Sequence, residues 1–102
     1  ALEYAIFLYN QNDLQDSLII YKKLLKVNLT DKKKAGILNN LAALRDKLNQ
    51  NQQAIKEYEE ALKIRRALAE KNPDAYNPYV AMTLNNLANL RDKLNQNQQA
   101  LK

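Results

Sequence analysis

The sequence predicts an all-α chain, a solenoid of antiparallel helix hairpins. Three observations carry this prediction. Residues 38–56 return almost unchanged at residues 84–102, 46 positions later, with only Ala43 exchanged for Asn89 and Ile55 for Leu101. A period of about 20–50 residues marks an array whose units bury their apolar faces against one another. Leu, Ile and Ala recur at three- and four-residue steps, the spacing of one helix stripe. With one Gly and two Pro in 102 residues, the chain has little material for sheet turns, and long helices on short links are favoured.

The first unit, residues 1–30, is degenerate, with helices expected near 1–11 and 14–27. Ala5, Ser17 and Tyr21 match Ala42, Ala54 and Tyr58 at an offset of 37, and Asn12 then matches Asn49. Pairing Asn10-Gln11-Asn12 with Asn49-Gln50-Asn51 instead would break the Ala5–Ser17 correspondence. Asp13 suits the N-cap of the second helix, and Asp16 reinforces its start. Asn28 to Thr30 reads as the loop, with Asp31 at the positive end of the next helix.

The second unit, residues 31–76, carries helices expected at 31–48 and 51–72. Ile37, Leu38, Leu41, Leu44 and Leu48 form the first stripe. Ala54, Ile55, Tyr58, Ala61, Leu62 and Leu68 form the second, joined by the stem of Arg65. Asn49 falls where a left-handed residue must stop the first helix, a conformation Asn tolerates best after Gly. Ala42, Ala54 and Ala61 let the two backbones approach. Pro73 ends the second helix, and Asp74-Ala75-Tyr76 reads as a loop. Asn77-Pro78 reads as N-cap and first position of the next helix. The third unit, residues 77–102, repeats the stripe as Leu84, Leu87, Leu90 and Leu94 on a helix expected at 78–94. A second helix is expected from 97, cut short at Lys102, as in a piece of a longer array.

Composition excludes several chemistries. Zero Cys removes disulfides and thiol chemistry, and zero His removes the commonest general base and metal ligand. No Gly-rich phosphate loop, nucleophile pair or metal-ligand spacing occurs, so no enzyme, cofactor or metal site is expected. No apolar run approaches the roughly 18 residues of a membrane span. Residues 1–9 are apolar but have neither a basic leader nor a small-residue cleavage site, so a buried helix and a cytoplasmic location are expected. The charge of +5 arises from sixteen basic residues interspersed with eleven acidic ones, with Lys32-Lys33-Lys34 supplying much of the surplus. That is the pattern of a solvated face rather than of a phosphate track.

The pattern resembles the tetratricopeptide repeat. In that family a large apolar residue is followed by a Leu-small pair, a turn, and then small-x-x-x-aromatic-x-x-Ala. Here these positions are Leu38, Leu41-Ala42, Asn49, Ala54, Tyr58 and Ala61, and again Leu84, Leu87-Ala88, Asn95 and Ala100. Leu-Asn-Asn-Leu-Ala and the run from Tyr58 to Ile64 are similar to the longer-period repeats of kinesin light chains and many bacterial relatives. The extra length lies in the second helix and the Asn72–Asn77 connection. The resemblance implies a right-handed superhelix that binds protein or peptide segments, often as the arm of a larger signalling or regulatory protein.

It also implies that the first helix of each hairpin lines a concave groove. Asn39, Asn40, Ala43, Asp46 and Lys47 then face the groove from the second unit. Met82, Asn85, Asn86, Asn89, Asp92 and Lys93 face it from the third, and Leu2, Glu3, Ile6, Tyr9 and Asn10 from the first. A carboxamide both donates and accepts, so a ladder of Asn can hold a peptide backbone whatever its side chains. The competing account is that duplication copied these Asn residues and that they bond within the fold. Asp46 and Asp92 beside Lys47 and Lys93 dilute the positive field that a carboxylate clamp would need.

RNA binding ranks lower, because no stacking platform recurs once per repeat. A structural array that self-associates through an uncovered stripe of the last hairpin uses the same fold. Arg65-Arg66 are expected to cover a helix surface with their stems. Glu57, Glu59 and Glu60 with Lys56 and Lys63 are expected to form exposed pairs of little energy.

Overall fold

The computed structural model describes the backbone of residues 14–100 and the side chains of residues 14–97. Among the described residues four helices follow one another: α1 Leu14–Leu24, α2 Asp31–Lys47, α3 Asn51–Lys71 and α4 Pro73–Ala100. No strand occurs among the described residues. The helix expected near 1–11, the Asn12 turn, the Asp13 cap and the first unit's groove residues lie outside them.

α1 stops at Leu24 rather than near 27. Its last bonds tighten to Lys26 N–Lys23 O at 3.1 Å and Val27 N–Leu24 O at 3.3 Å, a fraying of the final turn. Val27 is 55% exposed, so continuing the helix would bury nothing there. α2 begins at Thr30, whose hydroxyl accepts from Lys33 N at 3.3 Å, with Asp31 in the first turn.

Asn49 takes the left-handed backbone the sequence requires, with φ 61°. Asn49 N bonds Asp46 O at 3.1 Å and Gln50 N bonds Arg45 O at 2.8 Å, the two bonds of a Schellman cap. α3 then folds back along α2. Ala42, Ala54 and Ala61 have no solvent exposure, and Leu41 and Tyr58 are buried. Leu18 and Tyr21 of α1 pack on Ile37, Leu41 and Leu44 of α2. A second cluster joins Ala42, Ala54 and Tyr58 to Leu87 and Leu90 of α4. Ser17 and Tyr21 of α1 are buried, as are Ala54 and Tyr58 of α3.

Two expectations about the third unit are overturned. α4 starts at Pro73, so Asp74–Tyr76 is helix, not loop, and Pro78 lies inside the helix. Two Asn-Pro pairs compete for this start, and Asn72-Pro73 takes it. Asn72 Oδ1 accepts from Ala75 N at 3.4 Å and Asn72 O accepts from Tyr76 N at 3.1 Å, while Pro73 occupies the position where a missing N–H costs nothing.

Nor does α4 turn at Asn95; it runs on to Ala100. In the first copy Arg45 ties the turn together, bonding Gln50 across it and Glu57 beyond it. Its counterpart Arg91 is drawn away to Glu59 of α3, 3.4 Å distant. Gln96 instead donates to Asp92, one turn back, at 3.4 Å, which favours helix. Among the described residues no helix packs back on α4 beyond this point, so a left-handed residue here would cost strain without a return in burial.

Pairs along the helices give their directions. Arg65–Thr83 and Glu59–Arg91 make α3 and α4 antiparallel, whereas Asn39–Thr83 and Asp46–Lys93 make α2 and α4 parallel neighbours. No described helix is long and apolar enough to cross a membrane.

Candidate functional site

Two parallel helices from successive repeats present matching stripes. At 3.6 residues per turn, Gly36, Asn40, Ala43 and Lys47 share one line of α2. Their counterparts 46 residues on, Met82, Asn86, Asn89 and Lys93, share the same line of α4. Asn40, Ala43 and Asn86 are half-buried, while Lys47, Met82, Asn89 and Lys93 are exposed. Lys93 forms an ion pair with Asp46 across the seam.

The remaining sequence-predicted residues lie about a quarter turn away, towards one flank of each helix. Asn39 is only 6% exposed, and its Oδ1 accepts from Thr83 Oγ1 at 3.2 Å. It is held inside the α2–α4 seam and is not open to a ligand, which corrects its placement in the groove. Its copy Asn85 is exposed. Asp92 is exposed and accepts from Gln96, and Asp46 is taken up by Lys93.

Sequence reasoning missed two buried cations. Arg65 covers no outer surface: it is 7% exposed and lies where α2, α3 and α4 meet. Its Nη1 donates to Thr83 Oγ1 at 2.7 Å and to Tyr79 O at 3.3 Å, and its guanidinium lies 5.2 Å from the Tyr79 ring centroid. Burial lowers its pKa from the ordinary guanidinium value, with Tyr79 acting in the opposite sense. One signal for this site was in the sequence: Thr83 stands where the first copy has the apolar Ile37, 46 residues earlier.

Arg45 is the second. Its Nε lies 2.7 Å from Glu57 Oε1 and donates to Oε2 at 2.8 Å, with Nη1 donating to Gln50 Oε1 at 2.7 Å. Glu57 is therefore no exposed surface carboxylate, in contrast to Glu59 and Glu60, whose pairs with Arg91 and Lys34 lie in solvent. Its Oε1 receives no aligned donor. Burial raises the Glu57 pKa above the ordinary value, outweighing the Arg45 hydrogen bond and charge that lower it.

A cavity of about 460 Å³ opens at the N-terminal end of the α2 stripe. Leu24 and Leu29 wall one side, Ile37 and Leu68 another, and Tyr76 and Tyr79 of α4 a third. Lys32, Lys33, Gly36, Asn40 and Arg65 complete it. Gly36 has open space where a Cβ would stand, with Arg65 Nη2 the nearest atom at 4.0 Å. Among the described residues no three His, Cys, Asp or Glu gather as metal ligands would.

No curated protein and no solved structure matches the chain significantly. Residues 35–74 match the family profile described as Tetratricopeptide repeat, a stretch that takes in most of α2, all of α3 and the start of α4. The match supports a tetratricopeptide-type repeat over these residues, in keeping with the helices there, and such repeats generally mediate protein–protein interaction and are typically non-enzymatic scaffolds.

Proposed function

We propose that the chain is a scaffold that binds an extended protein or peptide segment along the α2–α4 stripes, with Asn40, Asn86 and Asn89 bonding its backbone. The observation that carries this reading is the alignment of three uncommitted carboxamides on parallel neighbouring helices, off the apolar core. Asn39 leaves the set because Thr83 occupies it. Lys47 and Lys93 close the far end of the stripe, where Asp46 and Asp92 temper their charge. Asn85, on the flank of α4, is left as a peripheral contact. The 46-residue period supports the longer-period, kinesin-light-chain-like type of right-handed superhelical array.

The test uses a photo-crosslinking residue at Asn86, with the same residue at Lys63 on the outside of α3 as control. A partner captured from Asn86 alone is then titrated against Asn40→Ala, Asn86→Ala and the double variant. Each lost backbone bond should weaken binding about fivefold, and the two losses should be nearly additive in free energy. Unchanged affinity in the double variant, with helicity and melting preserved, would reduce the Asn residues to scaffolding.

A second reading rests on a different observation. Leu84 is 40% exposed although its counterpart Leu38 is 3% exposed, and Ala88 is exposed where Ala42 is fully buried. This face of α4 offers the next repeat, or another copy, the surface that α3 covers on α2. Concentration-dependent sedimentation abolished by Leu84→Glu would support self-association, and a concentration-independent monomer would refute it.

A further inference from the structure

The cavity beside Gly36 combines an apolar wall with an imbalance of charge. Lys32, Lys33 and Arg65 are its charged groups, all cationic. The described ion pairs are Lys34–Glu60, Arg45–Glu57, Arg91–Glu59 and Lys93–Asp46, so no described carboxylate pairs with any of the three. For Arg65 this is unusual, since a guanidinium so far removed from water is ordinarily paired with an anion. Its bonds go to a hydroxyl and a carbonyl, both from Nη1. Nη2 has no described acceptor and lies on the cavity side, 4.0 Å from the Cβ position of Gly36.

Gly36 adds a second observation. It sits within α2, where Gly is a poor helix former, and its backbone has no positive φ. No atom lies close enough to forbid a side chain. Neither backbone conformation nor crowding accounts for it. Its effect is to leave the route from the cavity to Arg65 Nη2 open.

We propose that this cavity binds a small amphipathic carboxylate, an aromatic or medium-chain acid. The apolar body lies among Leu24, Leu29, Leu68 and Tyr79. The carboxylate takes the space beside Gly36, where Arg65 Nη2 donates to it. Lys32 and Lys33, one turn earlier on the same face of α2, add their field. The volume falls in the range of small-molecule sites, and an apolar lining with a few convergent polar groups is their usual make-up. Asn40 borders both this cavity and the groove, whereas Asn86 and Asn89 do not line the cavity, so exchanging those two tells the sites apart.

The test is an amide-resolved NMR titration of the full chain with octanoate and 3-phenylpropionate, against octanamide and 3-phenylpropanamide as neutral partners. The acids should shift the signals of Gly36 and Tyr79 and bind roughly tenfold more tightly than the amides, the scale of one charge-assisted hydrogen bond. Lys32→Gln with Lys33→Gln, both on the surface, should weaken the acids several-fold and leave the amides unchanged. Gly36→Leu should abolish both classes while retaining helicity. Asn86→Ala with Asn89→Ala should leave acid binding intact, which separates this site from the groove. Equal affinity for acids and amides, indifference to the lysine exchange, or no shift up to about 10 mM acid would each overturn the proposal.

Discussion

Arg65 of α3 donates to Thr83 of α4 at 2.7 Å, and the same Thr83 hydroxyl donates to Asn39 of α2 at 3.2 Å. One hydroxyl thus accepts from a buried cation and satisfies a buried carbonyl, joining three helices. Thr83→Val keeps the shape and removes both bonds. It leaves the guanidinium short of an acceptor and Asn39 Oδ1 without a donor, so it should cost about 2–3 kcal/mol in urea unfolding. Arg65→Met in the Thr83→Val background should cost less than in the wild type, with a coupling above about 1 kcal/mol. Strict additivity would mean that the network contributes nothing beyond its parts.

The Asn49 cap makes a cleaner case. At φ 61° a Cβ is strained, and Asn tolerates the strain better than most residues. Asn49→Gly should stabilise by a few tenths to 1 kcal/mol, and Asn49→Ala should destabilise by about 1 kcal/mol. Asn95 has the same neighbours but lies in helix, so Asn95→Ala should be neutral or slightly stabilising there. Opposite signs for Ala at the two positions, read as shifts in urea midpoint, would verify that one string has taken two conformations.

That contrast also marks how far the sequence could be read. Helix type, the α2–α3 hairpin, the Asn49 turn and the buried Leu41, Tyr58 and Ala61 follow from periodicity and local turn chemistry, which nearby residues determine. The fate of the second copy does not, because it depends on what packs against it. Arg91 finds Glu59 on a neighbouring helix where Arg45 finds Gln50 and Glu57 across its own turn. The candidate site divides in the same way. Asn40 falls on the α2 stripe, and Asn86 and Asn89 on the matching α4 stripe, by helical period alone. Asn39 is removed from it by Thr83, a contact 44 residues away in sequence. The Arg65 environment was hidden because a long basic side chain on an apolar stripe reads the same whether its tip reaches water or turns inward.

Pro78 offers a direct test of where α4 begins. As the start is at Pro73, Pro78 withholds a backbone N–H from the carbonyl of Asp74 inside the helix. Pro78→Ala should then stabilise by about 1–3 kcal/mol, the carbonyl being solvated in the wild type. Pro73→Ala should change stability by only a few tenths, with a loss if anything, because it releases unfolded-chain entropy. The reverse ranking in thermal or urea unfolding would place the helix start at Asn77-Pro78.

Glu57 should give the chain an inverted carboxylate response to pH. Burial raises its folded pKa above the ordinary value of 4.5, despite Arg45 at 2.7 Å. The native state therefore holds this proton more tightly than the unfolded chain does. Stability then falls as pH rises through the window between the two pKa values, since the slope follows the excess of protons bound by the unfolded state, here negative. The stabilisation from protonated Glu57 is fully present below the unfolded value and is lost once pH passes the folded one. Glu57→Gln removes the titration and retains an acceptor for Arg45. The wild type should thus lose stability relative to Glu57→Gln as pH rises from about 4 to 7. Urea midpoints of both proteins across that range decide the matter. A wild type that gains on the variant as pH rises would show that attraction to Arg45 outweighs the cost of burying the charge.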